Sequence, residues 1–318
     1  MLNPERIRAA HTRIAPHIVN TPLLQSDVLN ELMGGVVVFK YEGFQKTGSF
    51  KVRGALNALL SLREQQLLPP HVVAFSSGNH AQALAYAARL VGIRATIFIP
   101  ETASPFKINA TLAQGAQVIL TASRDEAEAR SAEYVTAGAM LIPPFDHDFI
   151  IAGQGTSCYE ALSTGFMPDA IFATVGGGGW ISGTYLAAKL LCPNAKIIGA
   201  EPALANDAAI SYRTGSIHRL ATAPNTIADG ARTPALAART FAYVRQLDGM
   251  IEIDEATIIE WTRTLALQLK ITAEPTSCVS AAACAQWFSQ PGNTGKTALV
   301  LLSGGNIDPA THQHIWSA

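Results

Sequence analysis

The feature that most restricts the fold of this chain is a string of short, almost wholly apolar runs: VVVF (36–39), VVAF (72–75), ATIFI (95–99), QVIL (117–120), AMLI (139–142), AIFATV (170–175), KIIGA (196–200), MIEI (250–253) and TALVLL (297–302). Most lack the polar alternation of a half-exposed strand and read as strands buried on both faces, the pattern of parallel sheets covered by helices. Helical patterns lie between them, as in HAQALAYAARLVG (80–92), SPFKINATLAQG (104–115), RDEAEARSAEYV (124–135), GTSCYEALSTG (155–165), GTYLAAKLL (183–191) and ATIIEWTRTLALQLK (256–270). The alternation predicts an α/β fold of open parallel sheets with flanking helices. Two sheets are expected rather than one, because the runs from 72 to 142 form a compact unit of their own. The longest stretch without a strand pattern is 203–235, and a loop of that length in a compact protein is usually functional.

The 318 residues, 48% hydrophobic and 15% charged, suffice for a sizeable core. A formal net charge of -1 with no concentrated basic segment leaves no electrostatic footprint for nucleic acid. Cys158, Cys192, Cys278 and Cys284 show no CxxC spacing, so neither a zinc site nor a disulfide framework is expected, and the chain reads as a reduced, cytoplasmic protein. Charges and prolines interrupt the N-terminal MLNPERIRAAHTRIAPHIVN, and no uncharged run is long enough to cross a bilayer, so no membrane partner is expected.

Ligands of open parallel sheets collect at the carboxyl ends of the strands, where helix N-termini aim free N–H groups into the crevice. AIFATV is followed by GGGGWISG (176–183). Four glycines before a helix let the backbone approach a ligand and point several amides at one anion, which makes Gly176, Gly177, Gly178 and Gly179 a phosphate cradle. The alternatives are a flexible turn and a dinucleotide fingerprint with Glu201 as its acidic partner. GxGxxG fails in each register, since it needs glycine at Ile181, Ser182 or Trp180. VVAF is followed by SSGNHAQA (76–83), where Ser76, Ser77, Gly78 and Asn79 bring hydroxyls, an amide and free N–H groups to another helix start, a setting suited to a carboxylate. Each alone is an ordinary cap; together with His80 they exceed what capping requires. Lys51, between Phe50 and Val52, reads by itself as a snorkelling surface lysine. Beside a phosphate cradle and a carboxylate loop it reads as an amine kept nucleophilic by desolvation, able to hold an aldehyde cofactor as a Schiff base.

The segments GSFKVRGA (48–55), SSGNHAQA (76–83), PETASPFK (100–107), IAGQGT (151–156), GGGG (176–179), AEP (200–202), IADGAR (227–232), EPT (274–276) and LSGGN (302–306), in that order, resemble those of the pyridoxal phosphate enzymes of the serine/threonine dehydratase and serine racemase family, the fold type II or tryptophan-synthase-β-like group, over nearly the whole chain. The resemblance implies a larger discontinuous domain, 1–64 and 144–318, that binds phosphate and pyridine, a smaller domain, 65–143, that carries the substrate carboxylate loop, and pyridoxal 5'-phosphate in the cleft between them. It implies that Lys51 holds the cofactor aldehyde, Phe50 packs on the pyridine face, Gly176–Gly179 bind the phosphate, Asn79 hydrogen-bonds the ring hydroxyl and Ser303 meets the ring nitrogen. A serine brings no negative charge to keep that nitrogen protonated, which favours expulsion of a β-hydroxyl over a long-lived carbanion. Ser76, Ser77, Asn79 and His80 then grip the substrate carboxylate while Lys51 takes the α-proton.

The activity implied is α,β-elimination of a small β-hydroxy amino acid, L-threonine or L-serine, to a 2-keto acid and ammonia. Serine racemase or 3-hydroxyaspartate dehydratase is the alternative with the same site; a β-replacement transferase, whose lysine motif usually reads SVKDR, and a nucleotide-binding module are more distant. Ser77 stands where dehydratases more often carry alanine and racemases a serine serving the face of Cα opposite the lysine. Arg124 is either a solvated helix-start charge beside Asp125 and Glu126 or an arginine that reaches an acidic substrate. Glu201, the Ala205 carbonyl and Asp207 of EPALAND match the family's site for Mg2+ or Ca2+. Trp180 and Cys278 depart from the family and are expected to narrow the pocket. A homodimer is the expected assembly.

Overall fold

A computed structural model describes residues 1–317. Its strands are β1 (Leu23–Leu24), β2 (Val36–Tyr41), β3 (His71–Phe75), β4 (Arg94–Pro100), β5 (Gln117–Thr121), β6 (Met140–Leu141), β7 (Ala170–Thr174), β8 (Lys196–Pro202), β9 (Gly249–Ile253) and β10 (Thr297–Leu302). One six-stranded sheet has the order β1-β2-β10-β7-β8-β9, and a four-stranded sheet the order β5-β4-β3-β6. All neighbours run parallel except β1, which pairs antiparallel with β2 through Leu23↔Lys40 and Leu24↔Phe39. The fold is therefore α/β with two parallel sheets. Every apolar run became a strand; β1 is a two-residue edge with no run to announce it.

The central position of β7 and β10 follows from their sequence. AIFAT is buried at each position and TALVLL at all but its first, so both faces need covering. Helix Pro275–Phe288 covers one face, with Val279 and Trp287 packed among Phe39, Phe172 and Val300. Helices Thr156–Leu162 and Gly179–Leu191 cover the other, where Cys158, Ile181 and Leu186 meet Ile171 and Leu299. Full burial of each large apolar side chain contributes about 1.5–3 kcal/mol.

Helix Lys51–Glu64 is buried continuously from Val52 to Leu62. Its Val52, Leu56 and Leu59 share a core with Val72, Leu84 and Ile97 of the four-stranded sheet. The residues just before it belong to the other sheet: Ser49 bridges Gly304, Phe50 N–H donates to the Ser303 carbonyl at 3.0 Å, and Gly305 N–H donates to the Gly48 carbonyl at 2.9 Å. Packing thus passes from one sheet to the other at Lys51 rather than at residue 64. Gly153 permits the close crossing beneath this point, since a Cβ there would lie 2.4 Å from the Arg53 carbonyl.

The stretch 203–235 is not a bare loop. It contains helix Asp207–Thr214 and the short 3-10 turns Ala203–Ala205 and Asp229–Ala231. All four cysteines are unpaired and buried. Among the described residues no helix is long and apolar enough to cross a membrane.

Candidate active site

The carboxyl ends of β3, β7 and β10 open onto one cavity of about 460 Å³, lined by Phe50, Lys51, Ser76, Ser77, Gly78, Asn79, His80, Gly176, Gly177, Gly178, Gly179 and Ser303. Lys51 is half-buried at the start of its helix, and its Nζ donates to the Pro144 carbonyl at 2.9 Å and sits 5.1 Å from the Phe50 ring centre. Burial pushes the amine down to about 8, against the opposing pull of the Glu274 carboxylate. Near neutral pH an appreciable share of it is uncharged and able to attack.

The glycine run is a backbone cradle. Gly178 has φ +82°, a left-handed conformation that L side chains rarely adopt. A Cβ on Gly177 would lie 2.2 Å from the Phe145 ring, so neither position admits a larger residue. Helix Gly179–Leu191 begins here, and its first-turn amides have no intrahelical acceptor. The second cradle, Ser76–Asn79, precedes helix Asn79–Val91 in the same way. His80 lies in the first turn of that helix. Its side chain is buried and its Nε2 lies 2.8 Å from the Ile142 carbonyl. Burial, with the positive charge of Lys51, pushes the imidazole down to about 3. The ring is neutral and spent on Ile142; what His80 offers the loop is a backbone N–H.

Phe50 stacks on Trp180, ring centres 4.3 Å apart and 11° between planes, and Trp180 Nε1–H donates to Ser157 Oγ at 2.9 Å. Trp180 lines the cavity as the wall behind Phe50. Cys278 does not narrow the cavity: helix Pro275–Phe288 turns it into the apolar core, where its Sγ faces the Glu274 carbonyl at 3.5 Å. Arg124, at the start of helix Arg124–Thr136, is exposed and also lines the cavity. It makes no hydrogen bond or ion pair with Asp125 or Glu126, so neither neighbour neutralises it.

Several lining residues belong to the family-like segments but carry no role in the sequence reading. Glu274 from EPT receives the Asn79 Nδ2–H at 2.9 Å and the Ser303 Oγ–H at 2.7 Å. Lys107 from PETASPFK forms an ion pair with Asp229 of IADGAR, and Arg232 is held by two bonds to the Thr226 carbonyl, at 2.9 and 2.6 Å. Their signal was positional, each lying close to a strand's carboxyl end or a helix start.

Beneath the site, Arg53 is fully buried and forks to both carboxylates of a closed ionic cluster. Nε and Nη2 donate to Glu42 at 2.6 and 2.9 Å; Nη1 and Nη2 donate to Glu160 at 2.7 and 2.8 Å. Lys40 completes the charge balance through a 2.7 Å bond to Glu160.

Glu201, Ala205 and Asp207 do not line the cavity; they form a separate buried cluster after β8. Glu201 accepts from the backbone N–H of Ala209 at 2.8 Å and of Ala208 at 3.3 Å, whereas both carboxylate oxygens of Asp207 lack any partner. Burial, reinforced by Asp207, raises Glu201 well above the usual range, and burial raises Asp207 to about 7. No group of three or more His, Cys, Asp or Glu side chains among the described residues is arranged to hold a metal.

Over residues 14–304 the chain matches the family described as Pyridoxal-phosphate dependent enzyme. It is 41% identical over 302 residues to the L-threo-3-hydroxyaspartate ammonia-lyase of Saccharomyces cerevisiae, covering 94% of this chain and 91% of that protein. It is 39% identical over 314 residues to the serine racemase of Schizosaccharomyces pombe, covering 98% and 96%. The solved serine racemase of Dictyostelium discoideum superimposes with a TM-score of 0.90 at 39% identity, over 96% of this chain and 99% of that one. With a half-buried lysine of lowered pKa lining one cavity with Gly176–Gly179 and Ser76–Asn79, and a match to the family's pattern over residues 14–304, the protein belongs to the pyridoxal-phosphate dependent enzyme family.

Proposed function

We propose that this protein is an ammonia-lyase that eliminates water from a small β-hydroxy amino acid, L-threonine or L-serine, yielding a 2-keto acid and ammonia. The single observation behind this reading is the placement of Lys51 in one cavity with the amides of Gly176–Gly179 and the Ser76–Asn79 loop. These residues fit pyridoxal phosphate: the glycine cradle admits no side chain and suits its phosphate, and the lowered amine suits its aldehyde. When bound, the cofactor supplies an aldehyde for the substrate amine and withdraws electrons from Cα. Ser76, Ser77, Asn79 and the backbone N–H of His80 bind the substrate carboxylate and turn the Cα–H bond toward Lys51. Lys51 takes that proton. Phe50, backed by Trp180, excludes water from one face, and Ser77, which lines the same cavity, is the residue proposed to serve the face of Cα opposite Lys51 and so allow racemisation beside elimination. Asn79 and Ser303 are the residues proposed to meet the ring hydroxyl and ring nitrogen. The proposed division of labour is phosphate and ring on 1–64 with 144–318 and substrate carboxylate on 65–143; the glycine run following β7 and the serine–asparagine loop following β3 support it, while helix Lys51–Glu64 packs on the four-stranded sheet.

A second substrate, threo-3-hydroxyaspartate, is favoured by the unpaired Arg124 at the cavity lining. Comparing keto-acid formation from threonine, serine and threo-3-hydroxyaspartate tests both readings; no turnover of any of them refutes the lyase. Arg124→Ala is expected to lower kcat/KM for the hydroxyaspartate about 10- to 100-fold, the worth of one charged hydrogen bond, with serine turnover largely unchanged.

A divalent cation, Mg2+ or Ca2+, is the proposed occupant between Glu201, the Ala205 carbonyl and Asp207. The unpartnered, buried Asp207 oxygens support it, because oxygen donors suit hard cations. The pH dependence follows. Asp207 sits near 7 in the folded chain against 3.8 for a free carboxyl. The metal-free fold thus has this stability fully present below about pH 4 and loses it as pH rises through about 7, up to about 4 kcal/mol. Adding Mg2+ is expected to raise the melting temperature at about pH 8 and hardly at all at about pH 5, and Asp207→Asn to erase the difference. Equal responses at both pH values count against the cation.

A further inference from the structure

Two helix starts bring two aromatic rings together in the wall of the cavity. Trp180 is the second residue of helix Gly179–Leu191, directly after the glycine run, and Phe50 stands directly before Lys51. Their rings stack with centres 4.3 Å apart and 11° between planes. Each residue is also pinned separately. The Phe50 N–H donates to the Ser303 carbonyl at 3.0 Å, which ties its backbone to the end of β10. Trp180 is 4% exposed and donates Nε1–H to Ser157 Oγ at 2.9 Å. Ser157 spends its own proton on the Gln154 carbonyl at 3.1 Å, so toward the indole it can only accept. Turning the indole over would break that bond in a buried site. Gln154 also donates from Nε2 to the Pro144 carbonyl at 2.9 Å, and the same carbonyl receives Lys51 Nζ at 2.9 Å. The contacts close on themselves: one turn, 154–157, holds the lysine amine through Pro144 and the ring wall beside it through Trp180.

We propose that Trp180 is a positioning residue that fixes the plane of the Phe50 ring, and with it the tilt of the cofactor ring against the Lys51 amine. This rests on the reading above, in which pyridoxal phosphate is carried on Lys51 beside Phe50. A phenylalanine ring turns readily about its last side-chain bond, because that torsion has a broad well. A flat indole stacked behind it removes the freedom, since tilting either ring opens a gap in a close-packed interior and gives up the aromatic contact. An aliphatic side chain of similar bulk fills the same space and leaves the tilt free. The tilt matters because the cofactor weakens the Cα bond that stands across its ring plane. With the ring wall held by Trp180 and the amine held by Pro144, the Cα–H bond stays aimed at Lys51. Trp180 thus keeps in register the glycine cradle it follows in sequence, the ring it stacks on and the lysine next to that ring.

The test uses the enzyme loaded with pyridoxal phosphate. Borohydride reduction and peptide mass analysis first locate the cofactor. A cofactor found away from Lys51 overturns the functional reading as well, whereas a cofactor on Lys51 confines any later failure to the present proposal. The deciding readout is circular dichroism in the cofactor's visible band, which reports how rigidly its ring is held against its neighbours and which packing alone does not move. In Trp180→Leu this signal, per bound cofactor, is expected to fall about two-fold or more as the ring gains freedom to tilt. For whichever β-hydroxy amino acid the enzyme turns over, kcat is expected to fall about 2- to 10-fold with KM steady, the rate equivalent of one aromatic pair. Trp180→Phe keeps a stacking ring and is expected to restore both. Ser157→Ala keeps both rings and removes only the anchor of the indole; it is expected to weaken the signal in the same direction, and it decides the matter if Trp180→Leu does not fold. A folded Trp180→Leu, or in its place Ser157→Ala, that keeps the wild-type dichroism and kcat and loses only melting temperature overturns the proposal. So does a Trp180→Phe enzyme that behaves like Trp180→Leu.

Discussion

Lys51→Ala is expected to fold, to bind no cofactor covalently, and to lose turnover of β-hydroxy amino acids by at least about 10⁴-fold, the upper end of what a positioned acid–base group contributes. The argument rests on two properties of one amine. Its site is dry enough to bring it down to about 8, and it lies within the cavity that both anion cradles face. The helix it begins is held by Val52, Leu56 and Leu59 in an apolar core of which Lys51 is not a member, so truncation is expected to remove chemistry and spare packing. Lys51→Arg separates charge from nucleophilicity: it keeps the cation and is expected to be equally inactive. Capture of the cofactor aldehyde by the apo chain should accelerate as pH rises and level off above about 8, because the uncharged amine attacks. Circular dichroism with the cofactor's visible absorbance checks the variants, and retained turnover in Lys51→Ala ends the functional proposal.

Arg53→Ala is expected to destabilise the fold by about 3–5 kcal/mol, the cost of removing one partner from a buried ionic cluster. Glu42 and Glu160 are 0% and 6% exposed, and Arg53 supplies donors to both. After truncation, Lys40 still hydrogen-bonds Glu160, at 2.7 Å, but Glu42 keeps only the Thr21 hydroxyl as a side-chain donor and the charge of Lys40 without a bond to it. Arg53→Lys keeps a charge but cannot fork to two carboxylates, so an intermediate loss is expected. Chemical denaturation reads the effect as a lower midpoint; a change of under about 1 kcal/mol contradicts a cluster that matters. Arg53 lies two residues from Lys51 on the same helix, so partial loss of cofactor affinity should accompany the destabilisation.

Strand positions were legible because an uninterrupted apolar run leaves a parallel strand few other places to go. β1 escaped notice because two edge residues bury too little to leave a pattern. The cradles were legible for a related reason: local backbone chemistry, four glycines or a Ser-Ser-Gly-Asn turn, determines what a helix start can bind. The orientation of the His80 ring was not legible, because neighbourhood in sequence says nothing of where a ring points, and the Ile142 carbonyl beside it comes from a distant strand end. Cys278 was misjudged in the same way, since the rotation of its helix about the core decides which face meets the cavity.

The sequence by itself determined the fold class and singled out the lysine, the glycine run and the serine–asparagine loop as the proposed site, because each depends on properties confined to a few consecutive residues: apolar continuity, positive φ, a helix start. Only the tertiary structure decided how those parts are tuned. Glu274 reaches Ser303 and Asn79, Arg53 reaches Glu42 and Glu160, and Lys107 reaches Asp229 across chain separations that no periodicity records. Proton positions and charge states follow from partners within hydrogen-bond distance, and those partners are set by the packing of the two sheets.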